Sequence, residues 1–185
     1  MKELSLNILD IAENSTKAGA SLVEILIEET DTTLTLTITD DGCGMTEEIL
    51  KGVTDPFYTT RTTRKVGMGI PLLKFAAEMT GGDLKISSRH ESEYVDHGTT
   101  VTASFYKNHI DFTPLGDVIS SITTLIQGHP NTDFRFYHKS ESAEVAFDTR
   151  EVRAVLEDIP LDSFEVLIWI KENLEEQYAE FKKLK

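Results

Sequence analysis

Alternation between apolar and polar residues recurs along this chain and limits most strongly the folds open to it. Residues 21–29 and 33–39 alternate in this way on either side of the polar turn TDTT, and residues 83–87 and 100–105 repeat the pattern. Each segment therefore presents one apolar face as a strand. Strands buried on both faces would be apolar throughout, so we expect an antiparallel or mixed sheet with one buried face.

Helical segments supply the layer that must cover this face. Residues 3–17 carry apolar side chains at helical spacing, a short helix follows Met45, and residues 69–79 form a third helix that stops at a glycine pair. The sequence therefore predicts an α/β (α+β) fold, a two-layer sandwich of a mixed, mostly antiparallel sheet covered on one face by helices.

Beyond Tyr106 the pattern restarts as a small α/β C-terminal extension. We therefore predict two units, an N-terminal domain over residues 1–106 and the extension over residues 110–185. The predicted elements of the extension are a helix at 114–127, a hairpin of 132–139 and 143–148, and helices at 149–156 and 162–184, the last with Asp162 as its N-cap.

Charge and composition exclude several classes of function. The chain of 185 residues has a formal net charge of −14, which disfavours a general surface for nucleic acids or anionic membranes. Its single cysteine, Cys43, allows no intrachain disulfide and is most simply a small packing residue. No apolar run approaches the roughly 18 residues that a membrane span needs, so we expect a cytoplasmic protein.

A second, polar stripe follows the first predicted helix. Asn7, Asp10, Asn14 and Lys17 recur at intervals of three or four residues and therefore share one side of the helix. Such a stripe is either a solvated face or one wall of a site. Lys17 either reaches a bound phosphate or is a helix-end lysine favoured by the helix dipole.

Two glycine-containing turns adjoin the predicted helices. In TDDGCGM, Asp40 precedes Gly42 and Gly44, which allow a flat ligand to approach the main chain, while the carboxylate offers an acceptor to an amine. In KVGMGIPLL, Gly67 and Gly69 open a helix whose first amides are suited to a phosphate. Neither turn matches the sequence motif of a dinucleotide-binding fold or that of a P-loop.

The segment at 54–66, TDPFYTTRTTRKV, is polar and has no periodicity. Loops of this length inside a domain are usually functional or disordered. Phe57 and Tyr58 are interpreted as packing residues that anchor the loop. The basic residues Arg61, Arg64 and Lys65 either contact phosphates or a partner, or belong to a solvated loop.

As a set, these segments resemble the ATP-binding domain of sensor histidine kinases, DNA gyrase B, Hsp90 chaperones and the mismatch-repair protein MutL. ENSTKAGA is similar to the MutL form of the asparagine box, whereas DPFYTTR, GMGI and HGTTVTASF are similar to the histidine-kinase forms. The resemblance covers roughly residues 1–106.

The resemblance implies a role for each motif. Asn14 would coordinate a Mg²⁺ ion that bridges the phosphates of ATP, and Asp40 would bind the adenine amino group, supported by Thr99. A phosphate loop would lie under a lid at residues 59–65. The nucleotide-binding candidates are Asn14, Lys17, Asp40, Gly42, Gly44, Met45, Thr59, Thr60, Gly67, Met68, Gly69 and Thr99.

Three departures from the family pattern bear on catalysis. Hydrolysing members place a glutamate four residues before the asparagine, and this chain has Asp10 there, about 1.5 Å shorter in reach. Asp10 is either the catalytic base of a slow ATPase or a solvated acid. Lys65 replaces one glycine of the phosphate loop, and no histidine-bearing hairpin precedes the first helix, so we expect no phospho-accepting histidine. We interpret all five histidines as surface residues.

These observations favour a cytoplasmic, ATP-dependent regulator that acts on a protein partner or as a homodimer. Two enzymatic alternatives remain, a kinase that phosphorylates a partner in trans, like the anti-sigma-factor serine kinases, and a slow ATPase with Asp10 as base. A MutL-like dimer clamp is disfavoured by Asp10 and by the lack of a large second domain.

Overall fold

The computed structural model describes residues 3–54 and 68–184. Its elements in chain order are α1 (Leu4–Lys17), β1 (Leu22–Glu29), β2 (Thr33–Asp40), α2 (Glu47–Gly52), α3 (Gly69–Met79), β3 (Asp83–Arg89), β4 (Gly98–Tyr106), α4 (Val118–Gly128), β5 (Asp133–Lys139), β6 (Glu144–Asp148), α5 (Thr149–Leu156) and α6 (Phe164–Leu184).

The six strands form one sheet in the order β3-β4-β2-β1-β5-β6. Neighbouring strands run antiparallel except for β1 and β5, which are parallel. The predicted mixed, mostly antiparallel sheet is therefore confirmed, as is the predicted hairpin of β5 and β6. Because β5 lies beside β1, the extension continues the sheet of the N-terminal domain. The sequence pattern does not indicate this pairing.

One face of the sheet is buried, because alternate residues of adjacent strands are in register. Ile25 of β1 lies between Ile38 of β2 and Phe136 of β5, and Val101 of β4 lies next to Ile38. All four side chains belong to a single hydrophobic core with apolar residues of α1, α3, α4 and α6. The other face carries threonines, such as Thr37, and charged residues, as expected for a two-layer sandwich.

The helix predicted at residues 114–127 begins later, at Val118. The carbonyl groups of Pro114 and Leu115 accept hydrogen bonds from the first amides of α1, so these residues cap another helix instead of starting their own. Asp117 caps α4 by accepting a hydrogen bond from the Ser120 amide at 2.9 Å. Similarly, α6 begins at Phe164 and not at Asp162.

A buried polar network attaches α6 to the sheet. His138 Nε2 lies 2.9 Å from a Glu29 carboxylate oxygen, and His138 Nδ1 lies 2.9 Å from the Tyr178 hydroxyl. Lys107 donates to the other oxygen of Glu29 at 2.9 Å. Burial, with the nearby Glu29 charge, raises the pKa of the Tyr178 phenol. The interpretation of all histidines as surface residues is wrong for His138, which is 2% exposed.

Across residues 3–54 and 68–184, no helix combines the length and the apolar character that crossing a bilayer requires.

Candidate functional site

Asp40 ends β2 on the helix-covered face, because it follows Ile38 by two residues. Its carboxylate is already oriented by the protein, since Ser15 of α1 donates a hydrogen bond to one oxygen at 2.6 Å and the Gly42 amide donates to the other at 3.0 Å. The side chain is half-buried. Asp40 therefore presents a fixed acceptor between the sheet and α1, in the position predicted for binding an amine.

The turn after Asp40 packs closely against the protein's own backbone. Gly44 has φ +70°, and a Cβ there would lie 1.9 Å from the carbonyl oxygen of Arg89. The Cys43 amide donates to the Ala18 carbonyl at 2.9 Å, so the turn is attached to the end of α1 as well. Glycine at position 44 is therefore required by the fold, whether or not a ligand also approaches it.

Thr99 pairs with Asp40 in the β2–β4 register. Its hydroxyl lies 2.8 Å from that of Ser88, and the Ser88 oxygen accepts a hydrogen bond from the Met45 amide at 2.7 Å. The structure therefore brings together Asp40, Thr99 and the backbone of Met45, three of the predicted positions. His97 also contacts this turn, with Nδ1 2.6 Å from the Gly42 carbonyl oxygen.

The polar stripe of α1 faces the start of α3. Asp10 and Asn14 are exposed, and a Cβ at Gly69 would lie 3.1 Å from Asp10 Cβ and 3.9 Å from Asn14 Nδ2. The first turn of α3, which begins at Gly69 after the exposed Met68, therefore lies against both residues. Asn7 differs from the rest of the stripe, because it is buried and its amide has no hydrogen-bond partner among the described residues.

Partial burial of the Asp10 carboxyl favours its neutral form. Partial burial raises the pKa of the Asp10 carboxyl above its ordinary value, while Lys17 opposes this rise and Glu13 adds to it. A carboxyl with a raised pKa next to a candidate metal ligand is a common arrangement for a proton acceptor. The geometry is therefore compatible with Asp10 as a base.

Lys17 is held by an acid of its own helix. Its ammonium lies 3.1 Å from one oxygen of Glu13, whose other oxygen lies 2.8 Å from His129 Nε2 at the end of α4. Burial alone would raise the pKa of Glu13, but hydrogen bonds from His129 and Lys17 outweigh it and lower that pKa. Lys17 must leave this pair to reach a phosphate, and so its predicted role stays a prediction.

A divalent cation at this site would have few protein ligands, and the phosphates and water would supply the others. No group of three or more His, Cys, Asp or Glu side chains within residues 3–54 and 68–184 could hold a metal ion. Mg²⁺ in nucleotide sites is usually held by one or two protein oxygens together with the phosphates and water. The exposed amide of Asn14 can supply one such oxygen.

A family model described as "Histidine kinase-, DNA gyrase B-, and HSP90-like ATPase" matches residues 1–109, which include α1, Asp40 with the turn after it, the start of α3 and Thr99. The chain belongs to this family. Its N-terminal part is therefore an ATP-binding domain of the histidine-kinase-like ATPases, as the sequence motifs indicate. The predicted two-layer fold agrees with the family.

Two of the curated proteins that this chain resembles are named as sensor proteins. The chain is 30% identical over 90 residues to the sensor protein KdpD of Clostridium acetobutylicum, covering 46% of this chain and 10% of that protein. It is 30% identical over 101 residues to the heme sensor protein HssS of Staphylococcus saprophyticus, covering 54% and 20%. The chain thus spans a fifth or less of the length of these two relatives.

Solved structures support the ATPase fold. The Aquifex aeolicus MutL ATPase domain complexed with ADP superposes with a TM-score of 0.55 at 16% identity, covering 85% of this chain and 70% of that one. The N-terminal domain of a DNA repair protein gives a TM-score of 0.55 at 17% identity, covering 79% and 52%. At these identities the likeness shows the fold alone.

Sequence reasoning missed two side chains that contact the candidate site. Ser15 occupies a buried position on the apolar stripe of α1, and a polar residue on that stripe is a signal that a partner such as Asp40 lies nearby. Ser88 gave no such signal, because its contacts with Thr99 and Met45 depend on the pairing of β3 with β4.

Part of the predicted site lies outside the described residues. Thr59, Thr60, Gly67 and the lid at residues 59–65 belong to the segment 55–67, which the structure does not describe. Their predicted roles stay predictions.

Proposed function

We propose that the protein binds Mg·ATP and uses the bound nucleotide to regulate a partner protein. The observation that carries this proposal is the carboxylate of Asp40, which Ser15 and Gly42 hold on the helix-covered face of an ATPase-family domain. In this proposal Asp40 accepts a hydrogen bond from the adenine amino group. Asn14 and the first turn of α3 then lie toward the phosphates.

A contact between α1 and the C-terminal extension supports a regulatory role. Glu13, the residue before Asn14, is bonded to His129, which follows α4, as well as to Lys17. If Lys17 turns toward a phosphate, Glu13 loses one of its two partners and the α1–α4 contact changes. A bound nucleotide can therefore alter the surface of the extension, which is where we place the partner.

Binding of ATP should depend on a divalent cation through Asn14. We expect the unaltered protein to bind ATP at least tenfold more tightly with Mg²⁺ than in EDTA, because the cation neutralises phosphate charge next to Asn14. Asn14→Ala should remove most of this difference. Isothermal titration calorimetry with and without Mg²⁺ measures both affinities.

Asn108→Ala is the matched control, since Asn108 is exposed in the turn after β4. It should bind as the unaltered protein does. Equal affinity of the unaltered protein in Mg²⁺ and in EDTA would contradict the assignment of Asn14.

A competition experiment with GTP tests the role of Asp40. A site that accepts a hydrogen bond from the adenine amino group rejects guanine, which carries a carbonyl at the same ring position. GTP that competes within threefold of ATP would therefore contradict the role of Asp40.

Slow ATP hydrolysis is a second candidate function, favoured by the raised pKa of Asp10 and its position beside Asn14 and Gly69. Because a base misplaced by about 1 Å costs on the order of a hundredfold in rate, we expect turnover well below about one per second. Asp10→Glu should raise this rate if reach is limiting. Asp10→Asn should lower it by about a hundredfold, since general-base help is worth that much or more.

Release of labelled phosphate from γ-labelled ATP measures this turnover, with calorimetry to show that each variant still binds ATP. Asp31→Asn, in the exposed β1–β2 turn, is the control. An Asp10→Asn variant that hydrolyses ATP as fast as the unaltered protein would exclude Asp10 as the base. Turnover of many per second would replace the regulator proposal with that of an ATPase.

A further inference from the structure

A groove of about 920 Å³ lies between the edge strand β6 and the two helices α5 and α6. Phe147 of β6, Val152 and Val155 of α5, and Val166 and Trp169 of α6 line it. All of these residues lie beyond residue 109, where the ATPase-family match ends. Nucleotide binding therefore does not explain the groove.

Large apolar side chains remain exposed in this groove. Val155 is 82% exposed, Ile159 is 55% exposed and Trp169 is 51% exposed, and all three line the same depression. Single exposed apolar residues are ordinary, but several converging on one concave surface indicate an interaction site. Trp169 also belongs to a residue type that is enriched among the hot spots of protein interfaces.

The rim of the groove is acidic. Glu151 and Glu165 line it, and neither forms an ion pair with any other described residue. The two arginines of α5 do not offset this charge, because Arg150 pairs with Asp148 and Arg153 pairs with Asp133. The loop that joins the two helices adds three further acids, Glu157, Asp158 and Asp162.

Charge and hydrogen bonding narrow the choice of occupant. A second copy of this chain, with its net charge of −14, would bring further negative charge to an acidic rim. Addition of a strand to β6 meets an obstacle, because the Ala146 amide already donates to the Gln177 side chain at 2.9 Å. Gln177 is in turn bonded to Asn173 at 2.8 Å. An added strand would have to break this arrangement, whereas a helix would not.

We propose that this groove binds an amphipathic helix of a partner protein. The apolar side of the helix packs on Val155, Ile159 and Trp169, and lysines or arginines at its margins face Glu151 and Glu165. Such a helix provides apolar side chains that cover those of the groove and positive charges that pair with its acidic rim. The inference concerns a site separate from the nucleotide, so its test does not depend on ATP binding.

A synthetic helix of leucine and lysine, about 18 residues or five turns long, serves as the probe. Because the chain has a single tryptophan, its fluorescence reports on the groove directly. We expect saturable 1:1 binding with a blue shift of the Trp169 emission as this side chain leaves water. A peptide of the same composition scrambled to remove the apolar face should bind at least tenfold more weakly.

The double variant Glu151→Lys/Glu165→Lys should weaken binding by about tenfold, since two favourable charge pairs become repulsive. Val155→Asp should also weaken peptide binding. Because Val155 is highly exposed, this substitution should leave the fold intact, which circular dichroism checks. Glu91→Lys/Glu93→Lys is the charge-matched control, because these exposed acids lie between β3 and β4 at the other edge of the sheet.

Equal binding of both peptides, or equal loss of binding in the groove and control variants, would overturn the proposal. So would a dimer in sedimentation equilibrium that Val155→Asp dissociates, because a second copy would then be the occupant. A blue shift produced equally by a leucine–glutamate helix would also overturn it, since the acidic rim would then select nothing.

Discussion

Replacing Asp40 with asparagine should lower the affinity for ATP by about a hundredfold. The carboxylate has two acceptor oxygens, which Ser15 and Gly42 already orient. Asparagine has one oxygen, and its NH₂ group would face either these donors or the adenine amine. Losing a hydrogen bond to a charged group costs about 1.5–3 kcal/mol, which corresponds to roughly ten- to a hundredfold or more. Calorimetry with Mg·ATP measures the change.

The neighbouring residue provides the control for this experiment. Asp41 is also an aspartate whose carboxylate accepts backbone hydrogen bonds, from Ser21 at 2.7 Å and Leu22 at 2.9 Å, but it binds the start of β1 and not α1. Burial alone would raise its pKa, and these bonds outweigh that effect and lower it. Asp41→Asn should therefore cost stability and leave ATP affinity within about threefold. If Asp40→Asn and Asp41→Asn bind ATP equally well, Asp40 does not recognise adenine.

Gly98→Ala should destabilise the fold by about 3 kcal/mol or more. Gly98 has φ +135°, and a Cβ there would lie 2.0 Å from the carbonyl oxygen of Asp40. Left-handed strain costs about 1–3 kcal/mol, and overpacking against backbone adds about as much again. Urea denaturation followed by circular dichroism measures the free energy of unfolding. Because the clash falls on the strand that carries Asp40, ATP affinity should decrease in the fraction that still folds.

Gly128→Ala is the matched glycine control. Gly128 ends α4, and a Cβ there would meet no atom within 4 Å. Alanine should change the free energy of unfolding by less than about 1 kcal/mol, in the stabilising direction, because it restricts the unfolded chain. Equal losses in the two variants would show that the contact with Asp40 does not limit position 98.

Local periodicity predicted most of the fold because it records which side of each element is buried. The helix bounds at 69–79 and 149–156 agree with α3 and α5, where a glycine or proline signal or a capping aspartate lies next to a periodic segment. The predicted start of α4 was wrong because the carbonyl groups of Pro114 and Leu115 accept hydrogen bonds from the first amides of α1. That contact joins residues more than a hundred positions apart, and no local pattern encodes it.

Local motifs supply the candidate site residues, whereas the burial of some side chains depends on distant elements. Asp40, Asn14 and Gly69 lie within short motifs whose chemistry is visible in the sequence. The burial of His138 depends on Glu29 and Tyr178, which reach it from other elements. The boundary between residues 1–106 and 110–185 stays a prediction.

The parallel pairing of β1 with β5 has a practical consequence for anyone who shortens this chain. The ATPase-family match ends at residue 109, which makes that position an inviting place to stop. Without β5, however, β1 would expose a row of unpaired amides and carbonyls along its whole length, beside the apolar side chains of Val23, Ile25 and Ile27, which are buried in the full chain. Such an edge recruits other strands, so a fragment cut there would tend to aggregate during expression.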